Sequence, residues 1–502
     1  MLVVWRRWLP GVFVEQVWQP WWGWLLAFGL GLALARGPLW LVVGVCGGTA
    51  VFFLVLRYPL FGLGLALLIG PFGAWEELQP WALPVDSGQI VLMVTVLAWL
   101  AKGLAQRRLV FPRTFLNVPL WLFIGWGAFS LWFAPSLSFG LRELLKWVEM
   151  GVIVWLVVAE AEAYGVGKTA VLLPGMLLLA GLVQAGVGIS QFLAPDGPVH
   201  FQVLGRFYRA FGTFQQPNPF GGFMSLMALL GSGILVGLLA TGWQQWRGQG
   251  RVSWWVVCAL LVVGGTAVFT TLALVMSWSR GAWLGFAAGI TILVLFGPRT
   301  RHTGLALLLA GAIAFGLSWQ SGLLPASVTD RLTGFTQDLQ FGDVRGVDIN
   351  DDNYAVLERL AHWQAALGMT RDHLWQGVGL GNYEPAYEDY ALINWPYPLG
   401  HAHNYYLNIL AETGIPGLIA YLAFWTAVFW QTIHLLPQLV WPHRGIALGL
   451  LAVWTAITVH HLVDKLYVNN IYIHLGVLFA LLQLLPLWQK RDKNLTLVEV
   501  QE

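Results

Sequence analysis

The chain has little charge and almost no cysteine. Only 10% of its 502 residues are Asp, Glu, Lys or Arg, whereas a soluble domain carries about 25%. The formal net charge is +2 and the basic residues are spread out, so nothing predicts a nucleic acid partner. The two cysteines, Cys46 and Cys258, lie in apolar runs, which predicts neither a disulfide nor a metal site.

Apolar residues are abundant instead. They make up 57% of the chain, and the mean hydropathy is +0.66. Apolar runs of about 15–25 residues recur, which is the length that a helix needs to cross a bilayer. These runs predict an all-α polytopic membrane protein with about 14 transmembrane helices and one long, partly helical loop. The predicted spans lie near residues 21–35, 39–56, 59–73, 89–104, 117–133, 139–159, 170–193, 218–240, 253–276, 281–297, 303–321, 405–433, 445–463 and 470–488.

Lys and Arg in the short loops predict the orientation, because such residues concentrate on the cytoplasmic side. Both termini are then cytoplasmic, and the polar stretch between the eleventh and twelfth spans is exported. The chain accordingly divides into N-terminal membrane helices (1–321), an exported loop (322–404) and C-terminal helices with a cytoplasmic tail (405–502).

With this orientation, several arginines lie beside the membrane on the outer side. Arginines at helix ends on that side are expected to be functional or ion-paired. Arg280 interrupts a long apolar stretch, so it predicts a hairpin turn, and it either binds an anion there or snorkels to headgroups. Arg206 and Arg209 are three residues apart, which would put both on one face of a helical turn and suit a phosphate or pyrophosphate. Asn218 is the expected N-cap of the following helix.

Two further cations, Arg142 and Lys146, stand four residues apart at the outer start of a helix. They either contact a substrate or form local ion pairs with Glu143 or Glu149. Arg331, Arg345 and Arg371 need no special explanation, because long exported segments ignore the charge rule.

The exported segment contains two local patterns. Residues 358–367, ERLAHWQAAL, have the spacing of an amphipathic helix with Arg359 and Trp363 on one face. Residues 377–385, GVGLGNYEP, lack the strand and helix of a dinucleotide site, and so predict a tight turn that brings backbone close to a ligand or another helix. The acidic run 348–353 fails the EF-hand pattern at its sixth and twelfth positions.

The segment 400–417, GHAHNYYLNILAETGIPG, carries the strongest chemical signal. A neutral imidazole accepts a proton near pH 7, which makes His403 a candidate general base at the membrane surface. His401, Glu412 and Asp464 are candidate assistants. Two alternatives remain open: histidines that are only structural, or a zinc site on the His401-Ala-His403 spacing.

Together these patterns resemble the bacterial O-antigen ligase and O-antigen polymerase superfamily. The resemblance covers about residues 200–470. It rests on His403-Asn404 followed by Gly414 and Gly417, on SRGAW around Arg280, on RAFGTFQQPNPF from Arg209, and on Arg359 and Trp363 followed by GVGLGNY.

The resemblance implies a metal-independent, inverting glycosyltransferase of GT-C-like architecture in the bacterial cytoplasmic membrane, without a cofactor. The implied donor is a glycan on undecaprenyl pyrophosphate. The acceptor would be lipid A core, a growing glycan or a protein, and membrane lipids would surround the polyprenyl tail.

The resemblance also implies roles for the candidate residues. Arg280 with Arg206 or Arg209 would neutralise the pyrophosphate, and His403 would take the acceptor's proton. The implied substrate-binding or orienting residues are Arg359, Arg142, Lys146, Asn404, Glu412, Asp464, His401, Trp363 and Tyr383.

Three rival functions stay open. One is a protein O-oligosaccharyltransferase of the same superfamily, and another is a non-catalytic partner in glycan export. The third is a transporter, since some cyanobacterial chains with this pattern are named inorganic-carbon transporters. A carrier would favour charges near the membrane midplane and an inverted repeat, whereas here the charges gather at the outer rim and no repeat is visible.

Overall fold

The computed structural model describes residues 28–29, 31, 38–76, 85–298, 300–333, 343–350 and 353–499. Most of the predicted first span, 21–35, lies outside these described residues. The chain forms two compact units, residues 1–65 with 90–111, and residues 66–89 with 112–502.

The smaller unit is built from helices. Helix α1 is Leu39–Arg57, and parts of α2, Pro59–Ile69, and of Ser87–Ala105 also belong to it. At Gly62 a β-carbon would lie 2.2 Å from the Thr95 hydroxyl oxygen. The absence of a side chain there lets the two helices touch.

The larger unit contains the remaining elements. It contains the short helix α3 (Gly73–Glu76) and shares α4 (Ser87–Ala105) with the smaller unit. Its long helices are α5 (Asn117–Ser130), α6 (Leu137–Tyr164), α7 (Val166–Leu193), α8 (Pro217–Gln249), α9 (Trp254–Met276), α10 (Arg280–Phe296) and α11 (Arg301–Gln320). The last three long helices are α15 (Tyr405–Leu435), α16 (His443–His460) and α17 (Ile471–Glu499). Between α7 and α8, β1 (Gln202–Val203) pairs antiparallel with β2 (Phe207–Tyr208).

The helices confirm an all-α polytopic membrane protein. Every predicted span within the described residues coincides with a helix. Eight helices there are long and apolar enough to cross a membrane, and three shorter apolar helices accompany them. The hairpin turn predicted at Arg280 is confirmed, since α9 ends at Met276 and α10 begins at Arg280.

Helix α8 lies at the centre of the larger unit and packs against α9, α10 and α16. At its crossing with α16, a β-carbon on Gly233 would lie 2.3 Å from the Cα of Gly449, and one on Gly445 would lie 2.5 Å from the Cα of Gly237. Close backbone approach at small residues is how membrane helices gain van der Waals contact when lipid competes for apolar surface.

The polar segment between α11 and α15 folds into α12 (Ala326–Thr333), α13 (Tyr354–Asp372) and the short α14 (Tyr383–Ala386). The helix predicted at 358–367 is confirmed, because it lies within α13. Its expected amphipathic character is not, since Leu367 is exposed and His362 is buried. Two small apolar clusters hold the segment together. One includes Met369, Tyr383 and Tyr387, and the other includes Leu360 and Trp395.

Helix α15 is broken at Gly414, whose φ of +66° and ψ of −173° are not helical. The break frees backbone groups of α15 for the glycine-rich turn 377–381. The Val378 and Gly379 amides donate to the carbonyls of Ala411 and Glu412, and Ile415 N–H donates to the Leu374 carbonyl. The predicted tight turn therefore approaches a helix, and it anchors the polar segment on α15.

Candidate active site

His403 lies directly before α15 in a left-handed conformation, with φ of +52°. The helix starts there because the Asn404 carboxamide oxygen accepts hydrogen bonds from the amides of Tyr406 (3.0 Å) and Leu407 (3.1 Å). The Tyr405 amide also donates to the His461 carbonyl, at 2.8 Å. This last bond brings the loop after α16, which carries Asp464, against the histidines.

His403, His401 and Asp464 form a compact group. An Asp464 carboxylate oxygen lies 3.5 Å from His401 Nε2 and 3.9 Å from His403 Nδ1. The two imidazole centroids are 4.4 Å apart. Both ring nitrogens of His403 are buried and make no hydrogen bond. His403 is therefore a buried imidazole with a nitrogen available to an incoming hydroxyl group.

Burial, and then the adjacent His401, lowers the pKa of His403 to about 2, although Asp464 opposes the shift. Burial, and then Lys465, lowers the pKa of His401 to about 3. Both imidazoles are thus neutral at physiological pH, which is the form that can accept a proton.

The turn between α9 and α10 gathers arginines. Arg209 Nε donates to the Ser277 carbonyl at 3.0 Å, and Arg331 Nη2 donates to the Trp278 carbonyl at 3.0 Å. Arg280 is the first residue of α10, directly after this turn. The Ser277 and Trp278 carbonyls, directly after α9, thus bind the guanidiniums of Arg209 and Arg331 close to Arg280 in the sequence.

The charges of these arginines, together with that of Arg359, act on one another's pKa values, and the charge of Arg359 acts on the pKa of His403. Burial, followed by the charges of Arg331, Arg280 and Arg359, lowers the pKa of Arg209 to about 9. Burial, then Arg280 and Arg359, lowers the pKa of Arg331 to about 10. The charge of Arg359 also disfavours protonation of His403. Like charges held this close predict a bound anion.

The hairpin β1–β2 corrects the expected pairing of Arg206 with Arg209. Residues 202–208 form strands and a turn rather than a helix, so the three-residue spacing does not put the side chains on one face. Arg206 is exposed and its guanidinium lies 4.5 Å from the Phe207 ring centroid. Of the two arginines, only Arg209 hydrogen-bonds to the turn.

The predicted cap at Asn218 is wrong by two residues. Helix α8 begins at Pro217, with Gln216 in the capping position. Asn218 instead accepts a hydrogen bond from Arg209 Nη2, at 3.1 Å. Its side chain therefore orients a guanidinium.

Lys146 forms a local ion pair with Glu143, which was one of the two alternatives for this residue. Its ammonium lies 2.8 Å from Glu143, which also lies 3.1 Å from the ammonium of Lys465. Lys146 further lines a polar cavity of about 210 Å³ with Asp86, Gln89, Asn470 and others. Arg142 is exposed, with its guanidinium 5.9 Å from the Phe139 ring.

Glu412 and Tyr383 are both buried where the glycine-rich turn meets α15. The Tyr383 amide donates to Glu412 at 3.2 Å, and the Tyr383 hydroxyl lies 2.9 Å from His362 Nδ1. Tyr383 has no exposed surface, and its ring packs in the first apolar cluster of the polar segment. Trp363 packs on the second apolar cluster of the polar segment, and its indole N–H is buried without a hydrogen bond.

His401, His403 and Asp464 each offer one possible metal ligand, and these atoms lie within 4.8 Å of one another. The arrangement could hold a divalent ion through two imidazoles and a carboxylate. The same three groups could equally pass a proton without any metal, so a chelator is needed in any functional assay.

Sequence reasoning missed Arg331 and the buried pair Lys465–Glu143. Arg331 lies in a segment where charge is unremarkable, and its partner Trp278 is 53 residues away. Glu143 and Lys465 are far apart in the sequence. No local pattern signals either contact, because both depend on how distant helices meet.

Residues 265–422 match the family model described as O-antigen ligase. The matched range contains Arg280, Arg331, Arg359 and His403. It supports the resemblance to the O-antigen ligase and polymerase superfamily. A search of curated proteins finds no matching relative.

Proposed function

We propose that this chain, whose residues 265–422 match the O-antigen ligase family model, transfers a glycan from undecaprenyl pyrophosphate to an acceptor hydroxyl at the outer face of the bacterial cytoplasmic membrane. The observation that carries the proposal is one arrangement at one end of the bundle. His403, whose buried ring nitrogens make no hydrogen bond, lies 3.9 Å from the Asp464 carboxylate, and the charge of Arg359 from the arginine group acts on it.

The arginine group supplies the leaving-group site of this proposal. Arg209, Arg280, Arg331 and Arg359 provide fixed positive charge for the pyrophosphate, in a place where burial strengthens electrostatic interactions. The carbonyls of Ser277 and Trp278 and the side-chain carboxamide oxygen of Asn218 accept hydrogen bonds from two of these guanidiniums, and so orient them before any substrate arrives. Such preorganisation stabilises developing charge without rearrangement.

His403 acts as the general base. The acceptor oxygen attacks the anomeric carbon from the face opposite the pyrophosphate, and its proton passes to an imidazole nitrogen. The bond between the anomeric carbon and the pyrophosphate oxygen breaks, and the electron pair leaves with polyprenyl pyrophosphate. Asp464 stabilises the imidazolium that results, and inversion follows from the single displacement.

The remaining candidates have supporting roles in this proposal. His401 shares the Asp464 carboxylate with His403, and Asn404 fixes the base by capping α15. Glu412 secures the polar segment, and Trp363 and Lys146 are assigned to contacts with the acceptor or donor glycan. Arg206 and Arg142, both exposed, are left as contacts of the outer glycan or of headgroups.

The topology belongs to the same proposal. About fourteen spans in a GT-C-like arrangement, with both termini cytoplasmic and residues 322–404 exported, would place the histidines and arginines at the outer membrane surface. The polyprenyl tail would lie between helices, in contact with membrane lipids.

The test is a transfer assay with purified protein and a synthetic polyprenyl-pyrophosphate glycan. It contains EDTA and offers lipid A core, the donor glycan or a peptide as acceptor. We expect release of polyprenyl pyrophosphate that His403→Ala and Arg280→Gln each abolish. Arg345→Gln, which removes an exposed arginine paired with Asp343, is the control and should turn over normally.

The productive acceptor would identify the subclass: ligase, polymerase or protein glycosylation. Loss of turnover in EDTA, restored by a divalent ion, would instead assign His401, His403 and Asp464 to a metal. Absence of turnover with every acceptor, in protein shown to be folded, would sink the enzyme assignment and make bicarbonate uptake the next experiment.

A further inference from the structure

The end of the bundle opposite the candidate active site has a cavity of its own. Helix α10 starts at Arg280 in the site and runs for 17 residues to Phe296, which is about 25 Å at 1.5 Å per residue. A cavity of about 510 Å³ lies at this far end. Its lining includes Leu295, Phe296, Arg301, Ile433, Leu436 and Arg444.

Most of the cavity wall is apolar. The end of α10 contributes Leu295 and Phe296, and the end of α15 contributes Ile433 and Leu436. The volume falls within the range of small-molecule sites, about 300–1,000 Å³. An apolar wall of this size at a helix end suits hydrocarbon chains.

The polar part of the cavity is cationic. The Arg444 guanidinium lies 5.5 Å from the Trp441 ring, and its Nη2 is 3.5 Å from the Phe296 carbonyl. Its Nε is buried without a hydrogen-bond partner. The Arg301 guanidinium lies 5.8 Å from the Phe296 ring. Among the described residues, no carboxylate forms an ion pair with either arginine.

The surrounding sequence offers no internal anion. Residues 281–329 and 413–463 contain neither Asp nor Glu. Arg301 is the first residue of α11, and Arg444 is the second residue of α16. Helix N-termini carry partial positive charge, so a cation in the first turn is unfavourable unless an anion compensates it.

We propose that this cavity binds an anionic phospholipid, with its phosphate between Arg301 and Arg444 and its acyl chains along the apolar wall. The separation of about 25 Å from the active site compares with a hydrocarbon core of about 30 Å, which puts the cavity at the opposite membrane surface. A zwitterionic lipid would bring an ammonium towards two guanidiniums and two helix N-termini. The site therefore selects phosphatidylglycerol over phosphatidylcholine.

The experiment measures which lipid stays with the full-length protein. Protein in detergent is mixed with equal amounts of phosphatidylglycerol and phosphatidylcholine, and bound lipid is counted by native mass spectrometry. We expect the wild type to retain phosphatidylglycerol preferentially. Arg301→Gln with Arg444→Gln should lower that preference about fivefold or more, since each basic residue near an anionic headgroup contributes appreciably.

The matched control is Arg247→Gln. Arg247 lies in the last turn of α8, at the same end of the bundle, with its guanidinium 4.9 Å from the Trp243 ring. It does not line the cavity, so the preference should stay unchanged. Should the double variant fail to fold, Arg301→Gln alone keeps the test, because Arg301 is exposed at a helix start.

Equal retention of the two lipids by the wild type would overturn the proposal. So would equal loss in the Arg247→Gln control, which would indicate a general effect of net charge. No transfer reaction is measured, so this result stands or falls separately from the glycosyltransferase proposal.

Discussion

The role assigned to Arg331 depends on its tertiary contact with Trp278 and cannot be predicted from its place in the sequence. The sequence treats it like Arg345, as one of several arginines in an exported loop. In the fold its guanidinium donates to the carbonyl of Trp278, beside Arg280. Arg345 is exposed and pairs with Asp343 two residues away. The two arginines are therefore a natural experimental pair.

We expect Arg331→Gln to lower kcat/KM for glycan transfer by about 10- to 100-fold, because a hydrogen bond to a charged group is worth about 1.5–3 kcal/mol. Arg345→Gln should leave kcat/KM unchanged. Initial rates of polyprenyl pyrophosphate release report both variants. Equal rates for the two would remove Arg331 from the pyrophosphate site.

The acid limb of the pH profile is a second residue-level prediction. The base must be neutral, and burial with His401 holds the pKa of His403 far below 6.5. The neutral form therefore persists as the pH falls through 6.5, where an ordinary histidine would protonate. We expect kcat/KM to stay level from pH 7.5 down to 5.5. An acid limb with a midpoint near 6.5 would contradict the buried environment of His403.

At the scale of elements, the structure of α15 explains the spacing between Asn404 and Gly414 in the sequence motif. Asn404 caps the start of a short helical piece, and Gly414 breaks the helix after nine intervening residues. The break lets the carbonyls of Ala411 and Glu412 bind the glycine-rich turn. The motif therefore sets the beginning, the length and the docking of the helical segment that directly follows His403.

We expect Gly414→Ala to destabilise the protein. Its φ of +66° is costly for a residue with a side chain, by about 1–3 kcal/mol. A β-carbon there would also lie 2.3 Å from the Trp375 carbonyl oxygen. Thermal unfolding in detergent should show a lower midpoint, together with reduced transfer.

Gly175→Ala is the matched control for that substitution. Gly175 lies inside α7 with nothing within 4 Å of its β-carbon position. Alanine is the better helix former, so the midpoint should hold or rise slightly. A Gly414→Ala protein as stable as this control would mean that the break in α15 is not required.

At the scale of the whole molecule, neutral histidines are buried where the membrane helices meet the polar segment. Burial lowers the pKa values of His401 to about 3, of His403 to about 2 and of His362 to about 4. The unfolded chain binds more protons than the folded one below pH 6.5. Stability is therefore full above that pH and falls as the pH is lowered towards the folded pKa values.

We expect the thermal midpoint to drop between pH 6.5 and 4.5. The double variant His401→Gln with His403→Gln removes two of these groups, so its midpoint should depend less on pH. Differential scanning fluorimetry over a pH series measures both slopes. Identical slopes in the two proteins would show that these imidazoles do not titrate on unfolding.

The sequence by itself determined the class of fold, because a span of helix needs only a long apolar run and satisfies its own backbone hydrogen bonds. It also singled out His403, Arg280 and the glycine turn, since each interrupts an apolar pattern with a group that is costly there. Local spacing was sufficient for α13 and for the turn at Arg280.

Only the tertiary structure decided which distant groups meet. Asp464 reaches His403 because the loop after α16 bonds to the start of α15. Arg209 is separated from Arg206 because a hairpin forms where a helical turn was expected. Arg331 joins the cluster through one carbonyl, and Tyr383 is buried by the polar segment's own core. These contacts join residues tens to hundreds of positions apart, and local periodicity carries no information about such pairs.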